Sequence, residues 1–320
     1  MSDSQTRPNL PLSPLWLGVL MGLIIMTIIL PGGYDGWLYY FQAWREQTTA
    51  PAWVHLFLAP ITLLPDYPAP WRWTVLVILT ALAIRLAVML FGGRWLWVIV
   101  GVPFLWTIWL GQIEFIAIFG VMLGWLVIGY QIHPLWMGVA GIALITKVQV
   151  GWGIIVLFAF WMILERRWRD MLWAIVTGGV ILIITLIVYP NWIPLWLDSL
   201  RQLSPSGRYF DSSILPFGLL AWGVALMPIS MTRLRRLRLV ACATLLGSPY
   251  FANYHCLTVM SISSNPIYWA VSWLTVIPMV IADNQRFAWI IPLAILINEG
   301  VQAWRERHTI IDTHRAMMLY

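Results

Sequence analysis

The sequence predicts an all-α fold, a polytopic transmembrane helical bundle with about 10–11 membrane segments. Composition is the first reason. Over 320 residues, 61% are hydrophobic and 10% charged, with mean hydropathy +0.80, whereas soluble domains carry about 25% charged residues. Second, several apolar runs approach the roughly 20 residues a helix needs to cross hydrocarbon, and none alternates as barrel strands do. Third, many of the 23 tryptophans mark the ends of those runs. Trp16, Trp71, Trp73, Trp95, Trp97, Trp168, Trp173, Trp192 and Trp196 read as interfacial anchors.

Taken in order, the runs place spans at 15–30, 73–91, 95–110, 113–130, 135–146, 148–164, 171–189, 214–231, 239–258, 266–282 and 287–303. They form one integral membrane domain over 1–320. Around it lie a polar tail at 1–14, outer loops at 31–72 and 190–213, and a C-terminal tail at 304–320. The tail at 1–14 lacks a small-residue cleavage site, so no cleavable signal is expected. Trp53–Leu64 is too short to cross and is interrupted by Pro60, which suits a re-entrant or interfacial piece. The runs 135–146 and 148–164 are short halves parted by Lys147, tolerable where the broken backbone is buried in protein.

Arginine clusters orient the chain. Glu165-Arg166-Arg167-Trp168-Arg169 and Arg233-Leu234-Arg235-Arg236-Leu237-Arg238 belong on the cytoplasmic side. Counting outward puts Met1 inside and Asp35, Gln112, Lys147 and His255 outside. The tail with Arg305, Arg307 and Arg315 conflicts, because eleven crossings leave it outside; segment 239–258 is the doubtful one.

The net charge of +6 is no sign of nucleic acid, since the arginines sit in short clusters at span ends. Cys242 and Cys256 give no disulfide framework. There is no Walker-type or dinucleotide glycine loop and no His/Asp/Glu cluster at metal-ligand spacing, so neither cofactor nor metal is expected.

The polar groups within this apolar body carry the functional argument. Asp35 follows the Pro31-Gly32-Gly33 break directly. Either it N-caps the helix beginning at Gly36, or it meets a substrate at the lipid–water boundary. Lys147 is the sole lysine of the chain. It either snorkels to the interface or grips an anionic headgroup as a point charge. Glu114 is either a helix-start carboxylate favoured by the dipole or a partner for Lys147 across the bundle. Arg208 reads first as part of a solvated loop. The stretch Ser248–His255 breaks the ninth run, as a cavity wall or as a kink at Pro249.

In their order, these features resemble the polyprenyl-phosphate-mannose-dependent mannosyltransferases of glycosyltransferase family 87, within the GT-C class. The resemblance covers roughly residues 15–260. It rests on Tyr34-Asp35-Gly36-Trp37-Leu38-Tyr39-Tyr40, Gly111-Gln112, the run Gly138–Gln149 leading to Glu165–Arg169, and Ser248-Pro249-Tyr250. The chain departs from the family in its shortness and in Val148, where members often have proline. The resemblance implies transfer of a sugar from a lipid-phosphate donor to an acceptor hydroxyl outside the cytoplasm. Asp35 would be the general base. Lys147, with Arg208 and His255 behind it, would stabilise the departing phosphate. Tyr34, Gln112, Glu114, Gln149 and Tyr250 would line the cavity.

Two other classes fit the same residues. One is a non-catalytic GT-C-like subunit packed in a larger membrane complex. The other is a transporter of lipid-linked sugar, for which broken helices beside charges are also expected, although no inverted repeat is visible. An enzyme requires Asp35 to face Lys147 across an outward-open cavity.

Overall fold

The computed structural model describes residues 13–41, 51–65, 70–201, 211–229, 231–282, 284 and 286–317. The described residues are all-helical, with no strands. Sixteen α-helices follow in order: α1 Pro14–Ile29, α2 Ala52–Thr62, α3 Trp71–Phe91, α4 Trp95–Ile99, α5 Val102–Leu110, α6 Glu114–Gly129, α7 Leu135–Ile145 and α8 Val148–Leu164. Then come α9 Trp168–Val188, α10 Trp192–Arg201, α11 Leu220–Ala225, α12 Arg233–Leu246, α13 Cys256–Ile262, α14 Pro266–Leu274, α15 Val276–Ala282 and α16 Ile290–Met317. A single π-turn occupies Gly36–Tyr40.

The bundle has two polar ends. At one, Arg235 and Arg238 each lie 3.1 Å from Glu299, and Arg233 pairs with Glu165. At the other sit Asp35, Gln112, Glu114 and Lys147. The described residues run between these ends twelve times, through α1, α3, α4–α5, α6, α7, α8, α9, 217–229, α12, 253–262, α14–α15 and α16. Segment 239–258 is therefore not one span. It joins the end of α12 to the start of the next traverse, and the chain reverses at 247–252. Pro249 supplies no N–H to continue the helix, and the Ser248 hydroxyl donates to the Tyr250 carbonyl at 2.8 Å to close the turn. The extra pass brings α16 back to the arginine end, which resolves the conflict over the C-terminal arginines. The expected separate tail at 304–320 is instead a continuation of α16 as far as Met317.

Among the described residues, two helices are long and apolar enough to cross a membrane, by length and composition. α3 runs through the middle, with 61% of its most apolar stretch buried, whereas α9 has only 6% of its own covered. α9 meets α7 where Gly138 faces Ala174 and Gly178; a Cβ at Gly138 would come within 2.5 Å of the Ala174 carbonyl. Small residues admit such close helix approach.

The expected span 95–110 breaks at Val100-Gly101, and the break is satisfied by α14. The Val100 carbonyl accepts from the Trp269 and Trp273 indoles at 3.2 and 3.1 Å, and the Val102 N–H donates to Ser272 at 3.2 Å. Buried backbone groups outside a helix need such partners. Some tryptophans expected as anchors are core residues. Trp16, Trp73 and Trp192 are buried, and Trp16 lies under the Arg85 guanidinium at 4.7 Å.

Candidate functional site

The site is assembled from breaks in helices. The first is Gly32-Gly33, where α1 gives way to the π-turn. Trp73 packs against both glycines and donates its indole N–H to the Ile108 carbonyl at 2.7 Å. Gly33 has φ 75° and donates to the Trp109 carbonyl at 2.7 Å. Gly111, the left-handed cap of α5 at φ 72°, lies so close that a Cβ there would sit 2.8 Å from the Gly33 Cα. Only glycine accepts both conditions without strain. These contacts dock the Asp35 loop onto the end of α5 and set Gln112 beside it.

Asp35 itself is helical, at φ −71° and ψ −31°, and its side chain makes no capping hydrogen bond. The N-cap reading is thereby excluded. The carboxylate turns to Gln112, whose Nε2 donates to its Oδ2. The Gln112 Oε1 accepts from Lys147 Nζ at 2.8 Å and from the Tyr40 hydroxyl at 3.2 Å.

Lys147 stands at the break between α7 and α8, with non-helical φ −124° and ψ 71°. Its ammonium points into the bundle rather than out to the interface. It lies 2.9 Å from Glu114 Oε1 and 5.0 Å from the centroid of the Tyr254 ring. Glu114, the first residue of α6, is wholly buried and also accepts from Thr258 at 3.4 Å. Desolvating two such charges costs several kcal/mol per ion, offset here by mutual attraction and added hydrogen bonds. The result is a continuous chain, Asp35–Gln112–Lys147–Glu114, with alternating sign at its charged members.

Asp35 is the half-exposed outer member. Burial raises its carboxyl above the ordinary value, and the Gln112 hydrogen bond and the Lys147 charge pull the other way.

The expected site residues divide. Asp35, Gln112, Glu114 and Lys147 come together, but Lys147 is engaged by Glu114 and Gln112 rather than open to a ligand, so the amide bridge occupies the place of the expected cavity between Asp35 and Lys147. His255 is buried with its ring 4.4 Å from that of Tyr254. Its Nδ1 accepts from the Ala252 N–H at 3.0 Å. Nδ1 also lies 3.3 Å from the Ala252 carbonyl oxygen, so the ring is engaged by its own turn rather than presented to a phosphate. Tyr34 is turned outward, 51% exposed, against Trp109. Gln149 belongs to no described contact of the cluster; two helix positions from Lys147 it points elsewhere, as side chains at that spacing do. Tyr250 is half-buried, its ring edge-on to that of His255 at 6.3 Å. Arg208 lies outside the described residues.

Tyr40, Thr258 and Tyr254 join the cluster without having been foreseen. Tyr40 is one of four aromatic residues from Trp37 to Phe41, of which it and Phe41 are buried. Thr258 and Tyr254 reach Glu114 and Lys147 because of the unforeseen reversal at 247–252. Comparison with family models, curated proteins and solved structures yields no match.

Proposed function

We propose that the chain is a membrane-embedded glycosyltransferase that moves a sugar, in the resemblance mannose, from a polyprenyl-phosphate donor to an acceptor hydroxyl. The arginine end faces the cytoplasm and the Asp35 end the opposite side. The membrane reading is supported by the apolar side chains on the outside of α9, among them Leu172, Ile175, Ile183 and Ile187. Patches of this kind are rare on proteins surrounded by water.

One observation carries the catalytic reading: the Asp35 carboxylate is held by Gln112 at a half-exposed position, backed by a buried cation. In the reaction, an Asp35 oxygen takes the acceptor proton as the acceptor oxygen bonds to the anomeric carbon. The bond from that carbon to the phosphate oxygen breaks, and the lipid phosphate leaves with the electron pair. Gln112 fixes the angle of the base, and Lys147 favours its ionised form. Lys147 is a positioning residue in this arrangement, with Glu114 balancing its charge.

The test is transfer by the full chain in lipid nanodiscs supplied with polyprenyl-phosphate mannose and simple glycoside acceptors. Product that disappears in Asp35→Asn supports the reading, and product unchanged in a folded Asp35→Asn variant removes Asp35 from it. Two observations favour a second reading, a non-catalytic subunit packed against a partner. α9 is nearly uncovered, and the Gln112 amide fills the place between Asp35 and Lys147 where an enzyme is expected to hold an open cavity. Absence of transfer together with co-purification of a stoichiometric membrane protein would favour that one.

A further inference from the structure

A cavity opens beside the chain reversal, on the same end of the bundle as Asp35. Its volume is about 420 Å³, and Asp211, Ser213, Asn284, Arg286, Phe287 and Trp289 are among its walls. Three segments distant in sequence are stitched together to make it. The Ser212 N–H donates to the Phe251 carbonyl at 2.7 Å, the Ser213 hydroxyl to the Ser248 carbonyl at 2.6 Å, and the Ala288 N–H to the Ser212 hydroxyl at 3.3 Å. The Asp211 Oδ1 accepts from the Ser213 and Phe251 N–H groups at 2.9 and 3.3 Å. Those bonds orient the carboxylate from one side and leave Oδ2 outside them.

The lining has the makeup of a carbohydrate site. The Phe287 and Trp289 rings lie 6.5 Å apart at a shallow 33°, giving flat aromatic surface for the C–H face of a pyranose. Asp211 and Asn284 offer acceptors for hydroxyls. The Arg286 side chain is exposed, and its guanidinium makes no ion pair among the described residues. Small-ligand pockets pair such aromatic surface with a few fixed polar groups. The lining carries one charge of each sign, Asp211 and Arg286.

We propose that this cavity binds a pyranose ring of the acceptor, stacked on Trp289 and hydrogen-bonded by Asp211 and Arg286. The assignment of the sugar as acceptor rests on the transferase reading, whereas the binding can be tested without turnover. The experiment is saturation-transfer difference NMR on the full chain in lipid nanodiscs, free of sugar-headed detergent. The probes are methyl α-D-mannopyranoside and methyl β-D-glucopyranoside. Transfer to the ring protons of at least one glycoside is expected. It should fall at least about fivefold in Trp289→Ala and in Arg286→Ala; the exposed arginine keeps the test independent of folding. No saturation of either glycoside, or saturation that survives both substitutions, overturns the site. Sugar transfer by a protein that binds neither glycoside overturns this site alone.

Discussion

Gln112 accepts from Lys147 at 2.8 Å through the same amide whose nitrogen donates to Asp35. Because an ammonium can only donate, the amide cannot flip: its oxygen must face Lys147 and its nitrogen Asp35. The base and the buried cation are thus joined through a fixed hydrogen-bonding unit.

That linkage has a pH consequence. The base works only when ionised, so transfer should fall as pH drops through the Asp35 pKa, which burial places above the ordinary 3.8. Gln112→Leu removes a hydrogen bond that lowers this pKa, so the acidic limb should move to higher pH. A pH–rate profile checks the direction; a limb that stays put would show that Gln112 does not hold the base.

Asp35→Asn should reduce transfer by roughly 100-fold or more, the common scale for loss of a general base. Thermal unfolding in nanodiscs should change little, since the carboxylate is half-exposed and caps no helix. Initial rates with a polyprenyl-phosphate sugar measure the first effect, and light-scattering melts the second.

The Lys147–Glu114 pair should respond non-additively. Lys147→Met or Glu114→Leu alone leaves a buried charge without its partner, and each should cost about 3–5 kcal/mol. The double variant should recover much of that loss. A double-mutant cycle in reversible detergent unfolding gives the coupling; additive losses would contradict a direct pair.

Gly111→Ala should weaken both fold and activity. It combines positive φ with a Cβ pressed on Gly33, and strained backbone of this sort costs of order 1–3 kcal/mol. Gly141→Ala, at a glycine with open space around it, is the matching control in the same unfolding assay.

Topology gives a further check. Cysteines placed at Glu165 and Glu306 should label from one side of a sealed membrane, and one at Tyr34 from the other. Labelling of positions 34 and 165 from the same side would refute the arrangement.

Much of this was legible in the chain before its fold. Composition and run length foretold helices throughout, and the break on either side of Lys147 was visible as two half-length apolar runs. The meeting of Lys147 with Glu114 was open because each residue also had an adequate local role. What hid the rest was the segment 239–258. The break at Ser248–His255 was visible, but a kink within one span and a reversal between two traverses leave the same sequence signal, so it did not show that Pro249 turns the chain back. That one missed turn concealed the contacts of Thr258 and Tyr254 and left the C-terminal arginines unexplained. Trp73 was hidden for another reason: an indole with a buried carbonyl partner has the same sequence signature as one at an interface.

The reversal at 247–252 also bears on how the protein could be assembled and handled. The twelve traverses leave Ser13 and Met317 at the same, arginine-lined end of the bundle, which in the proposed orientation is the compartment where the ribosome works. A reporter domain fused behind Met317 should fold in the cytosol as readily as one placed ahead of Ser13, and two copies joined head to tail would need no added membrane segment between them.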